Sequence, residues 1–171
     1  MPDLLIRIKK KTDGAAALSC IRADSSATWQ RQDGRLGAFF PLHDLTHYAV
    51  ETTIGFRRAF YGLVADGWDL TSFEAPGMKD RLPEEAGLAE LIVGFFDLER
   101  ATGVVATADE FNWKIQSYFA DHALPAPAFR ISDDQLGRIR QSRDDLFRRW
   151  RELPPGETLE LGFDRMAAVP V

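Results

Sequence analysis

The stretch that decides the fold is residues 41–51, which read PLHDLTHYAVE. It holds two of the three histidines of the chain, His43 and His47, and it ends on Glu51. Residues four apart lie on adjacent turns of one helix face, so a helical conformation brings these three side chains together. Pro41 favours a helix that begins here, because a residue in the first turn needs no partner for its N–H.

This helix is predicted to run from Pro41 to Asp66 and to stop at Gly67, a residue that suits a left-handed cap. At about 100° per residue, one apolar side holds Leu42, Leu45, Ala49, Phe56, Phe60 and Leu63. The opposite side holds His43, His47, Val50, Ile54 and Tyr61. A helix that is apolar on two sides is expected to lie at the centre of the fold with both of these sides buried. Its histidines are therefore expected on a face that other elements cover. Gly55 and Gly62 lie on one flank, where another backbone is expected to approach closely.

The rest of the chain predicts an α+β fold. Alternating apolar and polar residues predict strands at 4–10, 15–22, 27–32 and 158–164. Three further helices are predicted over 83–100, from Thr107 to just before Pro125, and from Ser132 to about Leu153, the last two opening with capping boxes. The expected fold is a single domain over residues 1–171. In it, an antiparallel sheet of about four strands, an N-terminal meander plus the C-terminal strand, packs with about four helices. The long connection 68–82 is typical of a lid or a binding loop.

Composition narrows the class of protein. The 171 residues are 45% hydrophobic and 27% charged, as in ordinary soluble globular domains. A net charge of −5 argues against nucleic-acid and anionic-membrane partners, which select basic surfaces. The single cysteine, Cys20, excludes an intramolecular disulfide and a zinc site built from several cysteines. The N-terminal order of residues does not fit a secretory signal, so a cytoplasmic protein is expected.

The histidine stretch predicts a metal site. Two imidazoles at positions i and i+4 of a helix can reach one ion, as in His-Glu-x-x-His zinc helices. This chain has His-Asp-x-x-His, so the glutamate base of that motif is not at its usual position. We expect a divalent transition metal, zinc in the first place, with His43 and His47 as ligands. Glu51 is expected as third ligand or general base, and Asp44 as a catalytic residue that orients a ligand.

The absence of basic residues near the two carboxylates supports this hypothesis. Neither Asp44 nor Glu51 has a lysine or arginine three or four residues away, so the usual helix ion pair explains neither. Asp44 has one local explanation, because an acidic residue is favoured in the first turn of a helix. Glu51 has a weaker one, an ion pair with His47 or Arg58.

The same residues resemble short motifs of two protein families. The His-Asp-x-x-His string resembles the zinc motif of a family of ubiquinone-biosynthesis proteins, but Ala59 stands where that family has a glutamate. The adjacent His43-Asp44 pair is similar to the metal-binding pair of the HD phosphohydrolases, yet no histidine precedes it in this chain. Neither family is assigned.

The sequence is compatible with more than one class of function. The first interpretation is a small metal-binding protein, in its most specific form a metal-dependent hydrolase that takes a small-molecule ligand. The second is a non-enzymatic ligand-binding or interaction domain whose histidine face is core or a homo-oligomer interface. A metal-free polar or catalytic site is a third. His122, near the end of the third helix, is favoured there by the helix dipole and needs no role as a ligand.

Overall fold

The computed structural model describes residues 1–166, and its architecture is α+β, as the sequence predicts. The strands are β1 (Leu4–Lys10), β2 (Ala16–Arg22), β3 (Ala27–Gln32) and β4 (Thr158–Phe163). The helices are α1 (Phe40–Ile54), α2 (Phe60–Ala65), α3 (Glu84–Thr102), α4 (Ala108–Asp121) and α5 (Asp133–Glu152). Short 3-10 helices lie at Gly34–Leu36, Leu70–Glu74 and Lys79–Arg81.

The four strands form one antiparallel sheet in the order β3-β2-β1-β4. In β1, Leu4, Ile6 and Ile8 are fully buried while the residues between them face outward, because successive side chains of a strand alternate between the faces. Ile6 pairs with Cys20 of β2 on one side and with Leu161 of β4 on the other. Both ends of the described chain therefore build the same sheet.

Local capping signals place the later helices. The side chain of Thr107 accepts from the backbone N–H of Glu110, and Ser132 accepts from Gln135, so both predicted capping boxes are confirmed. The C-terminal end of α5 is held by the sheet, because Lys10 Nζ donates to the carbonyls of Trp150 and Leu153 at 2.8 Å each.

The helix that was expected to be continuous over residues 41–66 is in fact two helices, α1 and α2. Gly55 adopts a left-handed conformation (φ 82°), and its N–H donates to the carbonyl of Glu51, which ends α1. The chain turns there and starts α2 at Phe60. The predicted single helix is wrong because Gly55 caps α1 and is not a packing residue within a continuous helix.

α1 lies at the centre of the helical layer, packed against α3 and α5. The hydroxyl of Tyr48 donates to the carbonyl of Gly162 at 2.8 Å and so ties α1 to the last strand. Beyond α2, the rings of Trp68 and Phe73 pack 5.5 Å apart, and Phe73 lies 4.8 Å from the ring of Phe60. The 68–82 connection is thus anchored over α2 by these two aromatic residues.

Candidate metal centre

Two histidines of α1 and a glutamate of α3 converge on one point. His43 and His47 lie one turn apart, with ring centroids 4.8 Å from each other. Glu90 faces them, and one ligand atom from each of the three residues lies within 4.8 Å of the others. In a tetrahedral zinc site, ligand atoms lie about 3.4 Å apart. Small side-chain rotations are therefore enough to close this group around an ion.

His47 is buried and lies between two carboxylates. Its Nδ1 is 3.1 Å from Oε1 of Glu51, and its Nε2 is 3.3 Å from Oε1 of Glu90. The second oxygen of Glu51 accepts the backbone N–H of Tyr61 at 3.0 Å, near the start of α2. The break between α1 and α2 thus gives Glu51 two fixed partners, one on each of its oxygens.

His43 has the same arrangement with a different carboxylate. Its Nδ1 lies 2.6 Å from Oδ2 of Asp97, a residue of α3 two turns after Glu90. Because Asp97 engages Nδ1, the Nε2 of His43 is the nitrogen that remains to bind an ion. The side chain of His43 is 21% exposed, whereas that of His47 is 2% exposed. The side chain of Glu90 is 48% exposed, so solvent reaches the group beside this carboxylate.

The structure brings together His43 and His47 as the sequence predicts, but it gives Glu51 a different contact from the expected one. Glu51 lies behind His47, on its Nδ1 side, and Glu90 is the carboxylate that completes the group of three. The helix break explains the difference, because the carboxylate turns to the free N–H of Tyr61 at the start of α2.

Asp44, which the sequence predicts as the residue that orients a ligand, has its hydrogen bonds to β3 and α2. Its carboxylate accepts a hydrogen bond from Nε2 of Gln32 in β3, and its backbone carbonyl accepts from the hydroxyl of Tyr61 at 3.0 Å. Oε1 of Gln32 is buried without a hydrogen-bond partner within residues 1–166. The carboxylates that contact the imidazoles are those of Glu51, Glu90 and Asp97, and within residues 1–166 no hydrogen bond joins Asp44 to either histidine.

The sequence does contain a signal for Glu90. Like Asp44 and Glu51, Glu90 has no lysine or arginine three or four residues away. Asp97 follows seven residues later, so the two acids project from the same face of one helix. Applied to α3, the criterion of the missing ion pair selects Glu90 and also Glu99, and it excludes Asp97, which has Arg100 three residues on. It would not have shown which helix face meets α1.

Burial and neighbouring charges shift the pKa values of these buried residues in opposite directions. Burial alone lowers the pKa of His47, but the Glu90 carboxylate and the hydrogen bonds to Glu51 and Glu90 outweigh it and raise the pKa to about 10. Burial raises the pKa of Glu51, although His47 and the Tyr61 N–H oppose this shift. Burial also raises the pKa of Asp44 to about 6, with Gln32 opposing. Without an ion, these pKa shifts favour a protonated His47, with Glu51 on its Nδ1 and Glu90 on its Nε2.

The third histidine lies outside the candidate metal centre. His122 is the C-cap residue of α4, where its Nδ1 lies 2.7 Å from the carbonyl of Tyr118 and its ring stacks on the Tyr118 ring at 4.1 Å. This local packing accounts for it, as the sequence indicates.

Comparisons with protein-family models, curated proteins and solved structures found no match to this chain. Within the described residues, no helix combines the length and the apolar character that crossing a membrane requires.

Proposed function

We propose that this protein binds one divalent transition metal ion, zinc in the first place, through His43, His47 and Glu90. One observation carries the proposal: each histidine of the group has its Nδ1 against a carboxylate, which leaves its Nε2 to bind an ion, and Nε2 of His47 lies 3.3 Å from Glu90. Metal-binding histidines typically donate their second ring N–H to such a carboxylate, which fixes the tautomer and makes the ligand more basic.

The three residues match the ligand set of a catalytic zinc site. Two histidines and one glutamate leave a fourth position for water, whose pKa zinc lowers to about 7. The exposure of Glu90 supports an open position on its side of the group. The more specific form of the proposal is therefore a metal-dependent hydrolase that acts on a small molecule. In it, Glu51 holds His47 and Asp97 holds His43 in the tautomer that presents Nε2.

The experiment is elemental analysis of protein purified without a histidine tag, together with His43→Ala/His47→Ala and Glu90→Gln variants. We expect near-stoichiometric metal in the wild type, none in the double variant, and weakened retention in Glu90→Gln. His122→Ala is the matched control, since it removes a histidine outside the group and should keep the metal. A folded wild type that takes up neither zinc nor manganese contradicts the proposal. A hydrolase screen follows only a positive result.

A second candidate function has its own support in the position of His47. Its ring lies within 3.3 Å of Glu51 and Glu90, so the imidazolium can join α1 to α3 as a buried ion-paired contact. This is the non-enzymatic alternative, in which the histidine face is part of the core. In that case Glu90→Gln lowers stability of the metal-free protein and added zinc changes nothing.

A further inference from the structure

We infer that Arg100 is a positioning residue of this metal centre, acting on His43 through Asp97 and Phe39; the inference rests on the proposed metal-binding function. Arg100 belongs to α3 and is one step removed from the histidines. Its Nη2 donates to Oδ1 of Asp97 at 3.2 Å, while Oδ2 of the same carboxylate lies 2.6 Å from Nδ1 of His43. One carboxylate thus joins the guanidinium to the imidazole.

Arg100 also supports the face of the same imidazole. Its Cζ lies 5.4 Å from the centre of the Phe39 ring, within the range of a cation–π contact. The Phe39 ring stacks on His43 with centroids 5.3 Å apart and an interplanar angle of 27°. Asp97 therefore holds an edge of His43 and Phe39 holds a face, and Arg100 contacts both.

The two histidines differ in how their supporting carboxylates are held. Glu51, behind His47, is fully buried and bonded to a backbone N–H, which side-chain motion does not displace. Asp97, behind His43, is bonded to a side chain that is itself 29% exposed. His47 is accordingly the fixed ligand, and the position of His43 depends on Arg100.

The position of Arg100 is not explained by its own hydrogen bonding. Its Nε is buried without a hydrogen-bond partner among residues 1–166. An arginine that served only as a helix ion pair would keep its donors in water at little cost. Here the Nε–H of the guanidinium makes no hydrogen bond within residues 1–166, and the group lies between Asp97 and Phe39, which both contact His43.

The test compares Arg100→Gln, Arg100→Lys and Asp97→Asn in the full chain. Zinc affinity is measured by competition with a chromophoric chelator. The tautomer of His43 in the metal-free protein is measured by ¹⁵N imidazole NMR in mildly alkaline buffer, with His122 as internal reference. Arg148→Gln is the matched control, because it removes an exposed arginine that pairs with Asp145 three residues away, as Arg100 pairs with Asp97.

We expect Asp97→Asn to lower zinc affinity 10- to 100-fold and Arg100→Gln about tenfold, the range for residues that orient ligands. His43 in the wild type should carry its proton on Nδ1, and Arg100→Gln should give a mixture of tautomers. Arg100→Lys should restore part of both readouts because it keeps the charge. The Arg148→Gln control should change neither.

Wild-type affinity and an unchanged His43 tautomer in Arg100→Gln, with only thermal stability lowered, would overturn the inference and leave Arg100 as a structural ion pair. If the wild type binds no zinc, the proposed function fails, and the tautomer measurement on metal-free protein still decides the role of Arg100. Should Arg100→Gln fail to fold, Arg100→Met takes its place, because it also removes the charge, and unchanged affinity and tautomer in that variant contradict the inference.

Discussion

At the scale of single residues, Asp44 is a carboxyl group that folding removes from water with one side-chain partner, Gln32. Burial raises its pKa from 3.8 to about 6 in the metal-free protein. The native state therefore holds this proton more tightly than the unfolded chain. This tighter proton binding adds to the free energy of unfolding. The contribution is fully present below about pH 4 and is lost as the pH rises through about 6.

Replacing Asp44 with Asn should remove this pH dependence. The amide does not titrate, and it can also donate to Oε1 of Gln32, which has no partner within residues 1–166. From pH 4 to pH 7, the stability of Asp44→Asn relative to the wild type should rise by on the order of 2 kcal/mol. Urea unfolding of the metal-free proteins at several pH values measures this difference.

Asp121→Asn is the control for Asp44→Asn, since it removes the same charge from an exposed position. Its stability relative to the wild type should stay nearly constant over this pH range. A relative stability of Asp44→Asn that does not rise between pH 4 and pH 7 would show that Asp44 ionises in the folded protein as easily as in the unfolded chain.

At the scale of elements, the turn between α1 and α2 decides where Glu51 points. The turn is tight because α2 comes back onto the chain that precedes it. A Cβ atom added to Gly62 would clash with the carbonyl oxygen of Arg57, which is backbone and cannot rotate away. The backbone close to Gly62 is thus that of the preceding turn, whereas the sequence predicted that of another element, and this turn brings the Tyr61 N–H to Glu51.

Gly62→Ala should therefore destabilise the protein by about 3 kcal/mol or more, the upper range for overpacking, because the backbone must move. Gly87→Ala is the matched control, a helical glycine of α3 whose added Cβ would meet nothing within 4 Å. It should stabilise the protein by roughly 0.5–1 kcal/mol, the gain of Ala over Gly in a helix. Denaturant midpoints measure both. Equal stabilities of Gly62→Ala and the wild type would contradict this account of the turn.

At the scale of the whole molecule, the candidate metal centre links two helices through residues that lie 43 positions apart in the chain, His47 of α1 and Glu90 of α3. An ion bound only by the folded protein stabilises it by mass action, about 2.7 kcal/mol at a hundredfold excess over Kd. For a protein of this size, that amount raises Tm by roughly 5–10 °C.

Thermal unfolding with and without zinc tests this link. The wild type and His122→Ala should gain the full shift, while Glu90→Gln should gain little at the same zinc concentration. A shift of equal size in Glu90→Gln would place the stabilising ion elsewhere on the protein.

The sheet and the later helices could be predicted because their signals are local. The alternation in β1 and the capping boxes at Thr107 and Ser132 each depend on residues within a few positions of one another. The break at Gly55 could not be predicted in this way. A glycine at that position suits both a continuous helix packed closely and a left-handed cap, and the packing of α2 decides between them.

By itself, the sequence determined the α+β class, the four strands and the placement of His43 and His47 on one helix face, since periodicity and spacing are properties of neighbouring residues. The tertiary structure alone decided which carboxylate joins them. Glu90 and Asp97 reach the histidines because α3 packs against α1, and Glu51 is held behind His47 because α2 offers it a free N–H. Contacts between distant segments depend on how whole faces pack, which no local pattern records.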